Sequence, residues 1–111
     1  MLGYFMIIKE GASIDKCRAE ILIAAITIIE PIYQKYGHNL VITSGTENYK
    51  HSAERSRHYS GDALDLRLRF FSKVAQHEIA DELQKSLGRD FVVIHEKTHY
   101  HVHYAPIYHD V

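Results

Sequence analysis

The sequence predicts an α+β fold: a small, mainly antiparallel sheet of about four strands with helices packed on one face. Three observations carry that prediction. Apolar spacing switches along the chain between helical and alternating periods. The stretch "DALDLRLRF" (residues 62–70) alternates apolar with charged residues. "DFVVIH" and "HYHVHYAP" flank a short "EKT" as the two arms of a hairpin would.

Taken in chain order, Phe5 to Lys9 reads as a short edge strand. "GAS" then turns the chain toward a helix capped by Ser13 or Asp15. Ile14, Cys17, Ile21, Ile28, Ile32 and Tyr36 recur at near-helical spacing, and Gly37 is placed to stop that helix. Pro31 lies inside the pattern and predicts a kink near Thr27 to Glu30, or a break into two pieces. "NLVIT" (residues 39–43) is short and β-branched, a buried strand closed by Ser44 and Gly45. From Gly45 to Ser60 there is scarcely an aliphatic residue, and a loop of that length in a small domain is usually functional. In the next strand Leu64, Leu66, Leu68 and Phe70 point to the core, which turns Ala63, Asp65, Arg67 and Arg69 to the opposite face. An amphipathic helix runs from about Ser72 to Leu87, with Gly88 as its stop, and the hairpin follows.

Composition limits what such a fold can do. The 111 residues, 46% of them hydrophobic, suit one domain spanning the whole chain, and a monomer is the expectation. Thirteen basic and 14 acidic side chains leave a formal charge of −1, which argues against nucleic acid as a partner. The longest apolar run, Ile21 to Ile29, is well short of the roughly 20 residues of a membrane span, so no membrane partner is expected. "MLGYFMIIKEGAS" has neither a basic leader nor a cleavage site, so no signal peptide is expected and the chain is placed in the cytoplasm at synthesis. Cys17 has no partner for a disulfide and reads as a small apolar residue.

What stands out is nine histidines, five of them beyond position 94. His99, His101 and His103 are two apart, so on a strand their imidazoles share one face, with Tyr100, Val102 and Tyr104 on the other. A row of imidazoles builds a poor core and a good metal site. Two histidines and one aspartate with a fourth position open is the pattern of catalytic zinc, whereas closed structural sites draw on several cysteines. Such a metal needs a carboxylate as general base, and Glu96 stands just before the histidine run. The single histidines His38, His77 and His109 read as surface or internally satisfied residues and His95 as a strand end. Gly61, between loop and strand, reads as a positive-φ position or a close backbone approach.

"SRHYSGDALD" (residues 56–65) fits the pattern Ser-x-His-x-x-Gly-x-Ala-x-Asp. With a late His-x-His after an acidic residue, it resembles the LAS metallopeptidases. That group includes the D-alanyl-D-alanine carboxypeptidases and dipeptidases of the peptidase M15 type, the murein endopeptidases and the zinc-bearing Hedgehog signalling domain. "KHSAERSRHYSGDALDLR" is also similar to the small M15-type peptidases of phages, and the resemblance covers roughly residues 39–106. It implies a Hedgehog/D,D-peptidase-like fold, one Zn2+ per chain, and hydrolysis of peptidoglycan stem peptides at a D-Ala-D-Ala or an L-Ala-D-Glu type of bond. The alternative it implies is a Hedgehog-like zinc-bearing binding module without hydrolytic activity. The phage-like resemblance implies action on the cell wall after release from an infected bacterium.

Carried onto matching positions, the resemblance makes His58 the first ligand and Asp65 the second. It makes His101 the third, with His103 where the family often has an acid; His103 as ligand with His101 beside it stays open. Glu96 becomes the base, with His99 and His51 as the groups that stabilise the transition state or line the site. Ser56, Arg57, Arg67 and His103 are the candidates on the substrate side. Many carboxypeptidase members grip the substrate carboxylate with an arginine two residues after a Ser-Gly, where this chain has Glu47. Arg55, Arg57 and Arg67 are the candidates to replace it.

Overall fold

Residues 6–48, 57–58 and 60–106 are described in the computed structural model of the chain. Strands β1 (Met6–Ile8), β2 (Leu40–Ser44), β3 (Ala63–Arg67), β4 (Phe91–His95) and β5 (His99–Tyr104) form one sheet in the order β1-β2-β3-β5-β4. Every neighbouring pair is antiparallel except β1 with β2. The fold is thus α+β, with five strands where about four were expected; the edge strand expected over Phe5 to Lys9 is β1, three residues long.

The alternation in each strand decides what the two faces carry. Leu40 and Ile42 of β2, Leu64 and Leu66 of β3, and Tyr100 and Val102 of β5 are completely buried on the inner face. Helices α1 (Ala19–Ala24), α2 (Glu30–Lys35) and α3 (Lys73–Leu87) cover that face, contributing the equally buried Ile21, Tyr33, Ile79 and Leu83. Each fully buried side chain of this size stabilises the fold by about 1.5–3 kcal/mol relative to exposure. The two buried tyrosines satisfy their hydroxyls internally: Tyr33 donates to the Arg67 carbonyl (2.7 Å) and Tyr100 to the Gln76 carbonyl (2.5 Å). The opposite face of β3 and β5 carries Asp65, His101 and His103.

Between α1 and α2 the rod takes a π-helical turn over Ala25–Ile29, where the Glu30 N–H reaches the Ala25 carbonyl. Pro31 causes it: the ring removes the N–H that would bond the Thr27 carbonyl, and widening the preceding turn relieves the clash. The distortion falls where Pro31 predicts it, beginning slightly earlier.

The start of the first helix differs from expectation. It begins at Ala19, not near Ser13, and Arg18 is its N-cap without a side-chain cap. Residues 13–18 give their backbone groups to the chain beyond β2 instead. The Ser13 carbonyl accepts from the Thr46 N–H (2.6 Å), the Lys16 N–H donates to Thr46 Oγ1 (3.1 Å) and the Arg18 N–H to the Gly61 carbonyl (2.9 Å). A helix from Ser13 would forfeit all of these. By contrast, α3 starts as expected, with Ser72 Oγ accepting from the Ala75 N–H (3.2 Å), and ends at Gly88 with φ 82°.

Candidate metal centre

The register between β3 and β5 sets the site. Asp65 pairs with His101, Arg67 with His99 and Ala63 with His103, so the aspartate is flanked by the histidine row on its own face. On the other side of β3 the register slips between Ile42 and Ser44, which brings Ser44 level with Asp65.

His58 comes from the loop and is held by backbone. Its Nδ1 lies 2.9 Å from the Gly45 carbonyl and its Nε2 3.1 Å from Asp65 Oδ1. Gly61 makes the approach possible under both expectations: its φ is 80°, and a Cβ there would lie 2.3 Å from the Lys16 carbonyl oxygen. His101 Nδ1 lies 3.0 Å from the same Asp65 Oδ1, and its Nε2 is 2.9 Å from His103 Nδ1. One donor atom each from His58, Asp65 and His101 therefore falls within 4.8 Å of the other two, the only such group among the described residues. His103 stands one hydrogen bond behind His101. The structure thus brings together His58, Asp65 and His101, with His103 as partner of the last.

The charges follow from the contacts. Burial pushes the Asp65 carboxyl up, but hydrogen bonds from His101 and His58 and the positive charge of His58 and His99 outweigh it and hold it well below the usual carboxylate range. Burial pushes His58 down, but the bond to Asp65, its charge and the Gly45 carbonyl outweigh it and raise the imidazole above its ordinary value. Both ring nitrogens of His58 face acceptors, an arrangement that favours the protonated ring. A neutral ring would keep its Nδ1–H on the Gly45 carbonyl and offer Nε2 to a metal, the orientation in which histidine ligands are usually held. His103 is held below its ordinary value by burial, by His101 and by Arg57. Two imidazole nitrogens and a carboxylate oxygen are the donor types zinc takes, so the residues fit that ion.

The remaining candidates are spread around this centre. His99 Nε2 lies 3.6 Å from Asp65 Oδ2, while its Nδ1 meets Thr98 Oγ1 at 3.0 Å. With Asp65 and Arg67 it lines an open cleft of about 660 Å³. Glu96 is exposed in the β4–β5 turn, its N–H donating to the His99 carbonyl (2.9 Å), which sets it opposite His99 in the ladder. Arg57 lines a separate depression and lies 4.0 Å from Asp62 Oδ2. His51, Ser56, Tyr59 and His109 lie outside the described residues. His38 stacks on Phe70 with ring centroids 4.2 Å apart, and His77 meets His95 at 4.8 Å; none of these joins the metal group.

Two contributors escaped sequence reasoning. The Gly45 carbonyl, which orients His58, is a backbone atom, and its only signal is the glycine closing β2. Glu47 is the other: its Oε1 accepts from the N–H groups of Gly45 (2.8 Å) and Ser13 (3.2 Å), and Ser44 Oγ donates to its Oε2. Burial pushes the Glu47 carboxyl up, but these bonds outweigh it and hold it below its usual value. Glu47 fastens the loop that carries Gly45 and is spent there.

No curated protein and no solved structure matches the chain. The family model described as Peptidase M15 matches residues 6–103, from β1 to the last histidine of β5. That span contains both halves of the metal centre and all of the five strands but the last residue of β5, and the members of the family are typically zinc enzymes. On that match the chain belongs to the peptidase M15 family.

Proposed function

We propose that the chain is a zinc-dependent peptidase that hydrolyses peptidoglycan stem peptides, with the ion held by His58, Asp65 and His101. The observation that carries this reading is the meeting of those three donors beside an open cleft that His99 and Arg67 also line. A zinc ion bound there would lower the pKa of a water and polarise the scissile carbonyl.

The chain's own residues do the rest. The Gly45 carbonyl and His103 fix the rings of His58 and His101 so that one nitrogen of each faces Asp65. Glu96, opposite His99 in the ladder, takes the proton of the attacking water and returns it to the leaving amine. His99, on the cleft side of Asp65, donates to the oxygen on which charge develops, with His51 as a second donor. Because Glu47 stands where carboxypeptidases of this type carry an arginine, the substrate carboxylate falls to Arg67, which lines the cleft, rather than to Arg57.

The test is digestion of purified muropeptides by the zinc-loaded chain, read by mass spectrometry. The product expected is loss of a terminal D-alanine or cleavage between L-alanine and D-glutamate, and its mass tells which. Glu96→Ala is expected to keep one zinc per chain and lose at least about 100-fold in rate. Digestion by Glu96→Ala at the wild-type rate would remove Glu96 as base. Zinc bound tightly with every muropeptide left intact would make the domain a binding module instead.

A further inference from the structure

The chain as a whole is nearly neutral, with 13 basic and 14 acidic side chains. The cleft beside the metal centre is not. Lys9, Arg67, Arg69, Lys73 and Lys97 line it, and its one acid is Asp65. Asp65 is already committed, with His58 and His101 on one oxygen and His99 near the other. None of the five cations forms an ion pair among the described residues, whereas Arg18, Arg57 and Lys35 are paired with Asp62 or Glu82.

The five are not a sequence run. Lys9 follows β1, Arg67 ends β3, Arg69 comes just after it, Lys73 opens α3, and Lys97 sits in the β4–β5 turn. The fold gathers them from four places. Like charges collected in one cleft repel one another, and a concave wall focuses their field, so the arrangement favours an anion over a neutral ligand. A volume of about 660 Å³ has room for a short peptide.

We propose that this cleft selects peptides carrying at least two free carboxylates, with Arg67 reading one and Lys73 and Lys97 reading another. The inference rests on the peptidase reading and narrows it: the substrates are acidic stem peptides, and their amidated counterparts are poor ligands. The gain per contact is modest because the lysines are exposed, so discrimination comes from several cations acting together and weakens with salt.

The experiment uses the zinc-loaded full chain and two fluorescent stem pentapeptides ending in D-Ala-D-Ala, which contain both candidate bonds. One has free carboxylates on its D-glutamate and at its C-terminus; the other is the diamide. Binding is followed by anisotropy and turnover by chromatography. The diacid is expected to bind about tenfold tighter than the diamide at low salt, with the gap shrinking as salt approaches about 0.3 M. Lys73→Gln combined with Lys97→Gln is expected to close most of that gap while the zinc content stays at one per chain. Equal binding of diacid and diamide, or a double variant that keeps the wild-type ratio, overturns the proposal. Displacement of the diacid by a tenth as much inorganic tripolyphosphate overturns it too, in favour of a phosphate cleft. The two readings fail separately: hydrolysis without discrimination sinks this one alone, and discrimination without hydrolysis sinks only the peptidase.

Discussion

At Asp65 Oδ1 two imidazoles converge, His58 at 3.1 Å and His101 at 3.0 Å, and each reaches that point because something behind it fixes its ring. Behind His58 is a carbonyl that only a glycine could bring so close to the preceding loop: a Cβ on Gly45 would lie 2.2 Å from the Ser13 carbonyl oxygen. The second glycine of the loop is under the same constraint and adds a positive φ. Gly61→Val therefore meets two penalties, left-handed backbone and collision with the Lys16 carbonyl, that together cost about 2–4 kcal/mol. Relief would push His58 away from Asp65, so the variant is expected to bind zinc more weakly even where it folds. Urea melts give the first quantity and competition with a chromophoric chelator the second. A variant within about 0.5 kcal/mol of wild type with unchanged zinc affinity would show the glycine to be incidental.

The helix starts show, at the scale of elements, what could be read in advance. Ser13 and Ser72 carry the same local signal, a small hydroxyl ahead of an apolar helical pattern. Ser72 caps α3 with its hydroxyl on the Ala75 N–H while its carbonyl accepts from the Gln76 N–H of the same helix. Ser13 caps nothing, since its carbonyl and N–H are taken by Thr46 and Glu47, partners over 30 residues away that no local pattern reveals. The strands were legible because alternation is local: Leu64 and Leu66 went to the core and Asp65 to the far face. The choice among His99, His101 and His103 was not, because it depends on the β3–β5 register, which pairs Asp65 with His101. Ser72→Ala removes the side-chain cap bond at the start of α3 and is expected to cost about 1 kcal/mol, leaving zinc binding unchanged. Denaturant midpoints of variant and wild type, with and without zinc, check both halves, and a loss under about 0.3 kcal/mol would mean the cap contributes nothing.

For the molecule as a whole, the proposed ion joins three points of the chain far apart in sequence, the loop at His58, β3 at Asp65 and β5 at His101, so its binding energy is also folding energy. At 100 times its dissociation constant, zinc would add about 2.7 kcal/mol, or roughly 10 °C in Tm for a domain of this size. That increment depends on pH, and its sign follows from His58. The pKa of the metal-free ring is raised above its usual value of about 6.5, so below that raised pKa zinc must expel a proton from Nε2. Each pH unit lower in that range then weakens zinc binding about tenfold. The Asp65 carboxyl is held well below the usual carboxylate range and His103 below its ordinary value, so neither opposes the trend. Thermal melts at pH 6, 7 and 8, each with zinc and with a chelator, should give a zinc-dependent rise in Tm that grows with pH. A rise that is flat, or that shrinks toward pH 8, would mean that His58 is not a ligand.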